Sequence, residues 1–78
     1  MALQYWRDSL IGQIVVLDKG ADHSNFDRVH ELSGLSAKDE FKVVADAGYG
    51  TTQLRLIGIE NMAGKTDIDC AENFAFKL

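Results

Sequence analysis

The chain has 78 residues, 46% hydrophobic and 26% charged, which fits one small globular domain over 1–78 and leaves no room for a second. Twelve Asp and Glu against eight Lys and Arg give a net charge of −4, the wrong sign for unaided binding to a phosphate backbone, and the charges alternate rather than forming a basic stripe. The single cysteine, Cys70, excludes an internal disulfide framework and a multi-cysteine zinc site, and it points to a reducing, cytoplasmic setting.

Residues 1–8 show no basic stretch leading into an apolar one, so no signal peptide is expected. The longest apolar run, residues 10–17, is broken by Gly12 and Gln13 and falls far short of the roughly 18 residues that span a bilayer. Leu3, Trp6 and Leu10 have helical spacing, whereas Leu3, Tyr5 and Arg7 alternate as a strand does, and both readings of this segment stay open. Residues 11–17 are short, β-branched and closed by Asp18-Lys19-Gly20, which predicts a strand.

Between residues 21 and 35, Phe26, Val29, Leu32 and Leu35 recur every third position. With Ser24 as N-cap, Asp27 three residues later and Gly34 near the end, the pattern predicts a short helix over residues 24–32. Residues 41–47 and 51–60 are β-rich and flank Gly48-Tyr49-Gly50, which predicts a hairpin with Tyr49 at its tip. In the second strand, Leu54 and Leu56 share one parity and Ile57 and Ile59 the other, so either a bulge near Gly58 or burial on both faces is expected. A turn at 61–65 leads to a short alternating segment at 66–70. Phe74, Phe76 and Leu78 then share one face of a last strand, which must pair with the sheet or with another copy.

These elements predict a mainly β fold: a small antiparallel sheet, or a barrel whose layout resembles the SH3-like type, with one short helix. The alternative is an α+β arrangement, an antiparallel sheet with the helix packed across it.

No catalytic, cofactor or metal motif stands out. Gly64-Lys65-Thr66 lacks the preceding glycine that a phosphate loop requires five residues before Gly64 and reads as a polar turn. His23 and His30 are seven apart with Asp27 between them, but His23 precedes the expected cap, so both histidines are expected at the surface. Asp18, Asp22 and Asp27, and likewise Asp67, Asp69 and Glu72, lack a calcium-loop pattern and read as solvated carboxylates, unless either set gathers into an acidic face. Cys70 alternates with Ile68 as a small buried residue would.

The aromatic residues carry the binding potential. Tyr49 at the hairpin tip, the adjacent Tyr5 and Trp6, and Phe74 and Phe76 on the last strand are the candidate partner contacts. The expected function is a small non-catalytic protein-protein interaction module that associates with itself, with no cofactor, nucleic acid or membrane partner. Two alternatives are an acidic decoy of a phage or mobile element that blocks a nucleic-acid-binding protein, and an oligomer holding a ligand or active site between subunits.

Overall fold

Strand formation begins where β-branched residues can alternate between a buried and an exposed side. In the computed structural model, which describes residues 9–48 and 54–77 together with the backbone of Tyr49, this happens first at β1 (Ile14–Leu17). Residues 11 and 12 form a turn instead of extending the strand as expected, and the Gly12 N–H donates to the Val43 carbonyl at 2.8 Å. Then follow α1 (His23–Val29), β2 (Glu40–Tyr49), β3 (Arg55–Glu60), β4 (Thr66–Cys70), a 3-10 turn (Ala71–Asn73) and β5 (Phe74–Phe76). The architecture is mainly β: the described residues form five antiparallel strands in one open sheet, ordered β4-β3-β2-β1-β5, with a single short helix among them.

The last connection constrains the shape of that sheet. Strands β4 and β5 occupy opposite edges, yet only the residues Ala71–Asn73 join them. In a flat sheet, four gaps of about 4.8 Å would separate the edges by about 19 Å, whereas a 3-10 turn advances only about 2 Å per residue. The sheet therefore curls, and its concave side becomes the core.

Side chains on that concave side are Val15 and Leu17 of β1, Phe41 and Val43 of β2, Ile57 and Ile59 of β3, and Phe74 of β5, all buried. Phe26 of α1 closes over them together with Leu10, Leu35, Ala37 and Ala71. The rings of Phe26, Phe41 and Phe74 meet with centroids 5.7 to 6.1 Å apart, two of the three pairs edge to face, an arrangement that adds to the area term. The terminal strand finds its partner within the chain, since Val15 lies opposite Phe76 and Leu17 opposite Phe74.

The helix differs from expectation at both ends. Its cap is Asp22, whose carboxylate accepts from the Asn25 N–H at 3.0 Å, while His23 is the first helical residue and Ser24 lies inside. It stops at Val29, and Val29 and Leu32 are exposed. At 3.6 residues per turn a three-residue repeat drifts around the cylinder, whereas Phe26 and His30, four apart, share the inward face.

Strand β3 keeps one alternation from end to end: Arg55, Ile57 and Ile59 point inward, and Leu54 and Leu56 outward. The apparent change of phase comes from outward-facing leucines, not from a bulge in β3. The irregularity sits on the partner strand, where the register steps from Val43↔Ile59 to Ala45↔Gly58 and leaves Val44 as the extra residue. Gly58 accommodates it, for a Cβ there would come within 3.1 Å of the Ala45 Cβ. Tyr49 pairs with Arg55 as the last residue of β2, so its backbone belongs to the ladder and not, as was expected of it, to the turn.

Candidate interaction surface

An antiparallel sheet covered on one side normally turns polar residues to the other. Here the convex face carries Ile14 of β1, Val44 of β2, Leu56 of β3 and Ile68 of β4, with Leu54 just before β3, each between 40% and 64% exposed. In the register Gly58 lies opposite Ile68 and Leu56 opposite Cys70, while Ile14 lies opposite Lys42. The bulge adds to the patch by turning both Val44 and Ala45 outward beside Gly58.

At one end the apolar face runs into an open groove of about 590 Å³, lined by Ile14, Phe41 and Met62 among charged residues. Glu40 and Lys77 form an exposed ion pair at 2.5 Å, and Lys42 lies opposite Glu60 in the β2–β3 register. Met62, 91% exposed, stands at its rim on the β3–β4 turn. That turn is Asn61-Met62-Ala63-Gly64-Lys65: the Asn61 side-chain oxygen accepts from the N–H groups of Ala63 and Lys65, and Gly64 takes φ +79°, which a glycine adopts without strain. The Gly64-Lys65-Thr66 sequence is thus a hairpin turn leading into β4.

Two charged clusters are buried behind the sheet. At one end Arg55 and Asp46, both nearly inaccessible, form a two-point pair at 3.0 and 2.5 Å. Asp46 also accepts from the N–H groups of Leu10 and Gly48. The Arg55 bond, then these amides, hold its carboxyl at about 2 against the opposing effect of burial.

At the other end His30, only 2% exposed, lies between two carboxylates of β4. Its Nδ1 is 2.7 Å from Asp67 and its Nε2 2.7 Å from Asp69. Burial works against the imidazolium, but hydrogen bonds and charge from both aspartates outweigh it and raise the pKa above 6.5. Asp67 in turn is lowered to about 2 by the Ser33 hydroxyl, His30 and the Ile68 N–H. The expectation of surface histidines fails here, because β4 supplies a carboxylate to each ring nitrogen and so compensates burial of the charge. His23 does stand at the surface, its Nε2 3.0 Å from the Asp18 carbonyl.

Asp67 and Asp69 are accordingly not solvated carboxylates. Asp22 caps α1 and Asp27 accepts from the Ala37 N–H at 2.7 Å, so these carboxylates serve local structure. Among the described residues no group of three or more His, Cys, Asp and Glu could hold a metal ion. The Cys70 thiol is only partly buried, and burial, with the charges of Asp69 and Glu72, pushes its pKa up and keeps it protonated.

Of the aromatic candidates, Tyr5 and Trp6 lie outside the described residues, as does the Tyr49 side chain. Phe74 has no accessible surface and offers none to a partner in this fold, while Phe76 is half-buried against the core. The convex apolar face is what sequence reasoning missed. Its signal was present in the β3 parity: Leu54 and Leu56 on one side, Ile57 and Ile59 on the other, four apolar residues that one concave face cannot take. No helix among the described residues is long and apolar enough to cross a membrane. No family model, curated protein or solved structure matches the chain.

Proposed function

We propose that the protein is a non-catalytic interaction module that binds protein, including a second copy of itself, through the convex face of its sheet. The observation that carries this reading is the exposure of Ile14, Val44, Leu54, Leu56 and Ile68 on one face of neighbouring strands, apolar surface of the kind that marks interfaces. The groove rim favours a second copy, because two carboxylates and two ammonium groups, Glu40, Glu60, Lys42 and Lys77, can complement themselves across a two-fold axis.

The curled sheet and its short edge-to-edge connection support the small SH3-like barrel layout over a flat sheet with a helix laid across it. The lone protonated thiol of Cys70 fits a cytoplasmic setting. A dilution series followed by amide NMR tests the reading. Shifts that move on dilution and cluster at Ile14, Val44, Leu56 and Ile68 support it; shifts confined to the α1 side, or none at all, contradict it.

A further inference from the structure

Lys42 of β2 and Glu60 of β3 lie opposite each other in the register. Their neighbours Phe41, Val43 and Ile59 are buried in the core, so alternation turns both charged side chains to the convex side. Among the described residues neither forms an ion pair, with the other or elsewhere, although Glu40 and Lys77 nearby do pair. A carboxylate and an ammonium group thus stand side by side on the apolar face, each with its charge uncompensated.

Met62, two residues beyond Glu60, is exposed on a turn that is anchored to the body of the protein. The Asn61 side-chain nitrogen donates to the Gly34 carbonyl at 3.2 Å and to Asp39 at 3.1 Å, while its oxygen holds the turn from within. An apolar knob is therefore set at a fixed place beside a groove whose lining includes Ile14 of β1. The thioether is unbranched and polarizable, a side chain suited to filling an irregular gap.

We propose that two copies dock convex face to convex face about a two-fold axis along the β2–β3 seam, with Lys42 of each on Glu60 of the other and Met62 of each in the other's groove. This rests on the convex-face reading above and specifies the geometry of its partner. Ile14 lies opposite Lys42 and Lys42 opposite Glu60, so the three form one row across β1, β2 and β3. Rotation about the seam exchanges β2 with β3, which lays Lys42 over the partner's Glu60 and repeats the contact on the other side. Stacked sheets lie about 10 Å apart, within reach of two long side chains extended from opposite sides. The same rotation carries Met62, on the β4 side of Glu60, to the β1 side of Lys42, where Ile14, Glu40 and Lys42 line the groove. Val44 and Leu56 flank the seam and meet their counterparts across the axis. Charge selects this seam over its neighbours: an axis at β1–β2 would press Lys42 onto Ile14, and one at β3–β4 would set Glu60 against Thr66, each leaving a covered charge without its opposite.

The test mixes two single variants, Lys42→Glu and Glu60→Lys, and reads the dissociation constant by sedimentation at physiological salt. Alone, each variant sets like charges together at both contacts, and its dissociation constant should rise by about tenfold or more over the wild type. Mixed one to one, they restore an opposite pair at each contact and should associate about tenfold or more tightly than either does alone. A second readout needs no substitution: in a mixture of differently labelled wild-type copies, the Met62 methyl group should show an intermolecular NMR contact with Ile14. If either variant does not fold, that contact decides. A mixture no tighter than its components, or a Met62 methyl without the contact, overturns the axis, and the convex-face reading survives it if Leu56→Glu still abolishes association. A wild type that stays at 8.6 kDa at every concentration overturns both.

Discussion

The two faces of this sheet are built from the same kinds of side chain and differ in what lies over them. On the concave face, Phe41, Val43, Ile57 and Ile59 are sealed by Phe26 and the segment around Leu35. On the convex face, Ile14, Val44, Leu56 and Ile68 have no such cover from the described chain. Burial in so small a domain is thus decided by where α1 and the long connection fall, and apolar content beyond what they cover becomes surface available for association.

Substitution on the two faces should separate them sharply. Phe74→Ala removes a fully buried ring from the three-phenylalanine cluster and should cost about 3–5 kcal/mol in urea denaturation, enough to unfold much of the population. Asp46→Asn should cost nearly as much, about 3 kcal/mol, because it removes the negative charge of a buried carboxylate that pairs at two points with the Arg55 guanidinium, and the same denaturation series would detect it.

The two buried charge clusters should also show themselves as a stability plateau in pH. His30 has its pKa raised on folding, so its contribution is complete below 6.5 and is lost as pH rises through the folded value. Asp46 and Asp67 are lowered, so their contributions are present above 3.8 and are lost as pH falls toward about 2. The melting temperature should accordingly be highest between these limits and fall on both sides. A melting temperature that keeps rising from pH 6.5 to 9 would break the assignment of His30 as a charged clamp.

How much of this was legible in the sequence depended on range. Local pattern located the strands and the helix, because alternation and turn chemistry act over a few residues: the residues 61–65 turn and the terminal strand stand where they were expected. The helix cap was misplaced by two residues because Asp22 and Ser24 are both good caps, and it is the contact of Phe26 and His30 with the sheet that selects between them. His30 itself was illegible. Its partners lie 37 and 39 residues away, and an imidazole beside helical residues gives no local sign that two carboxylates of an edge strand will meet it. The convex patch was half visible in the parity of β3, but the concave face had to be known before the leftover face could be recognised.

Smaller effects sharpen the comparison further. Asp22→Ala should cost about 1 kcal/mol through the lost cap of α1, visible as a shift in the urea midpoint. Leu56→Glu, on the convex face, should change the stability of the dilute chain by no more than about 0.5 kcal/mol, since the side chain already meets water. A large loss of stability in that variant would show that the convex face is covered by the chain itself.

The most direct measurement is molar mass by light scattering on a sizing column, for the wild type and Leu56→Glu at several concentrations and a fixed pH of 6. The account predicts a wild-type mass that is a multiple of 8.6 kDa at high concentration and a return to 8.6 kDa in the variant. A wild type that remains at 8.6 kDa throughout, or a variant that associates as strongly as the wild type, would contradict the claim that the convex face joins copies of this chain.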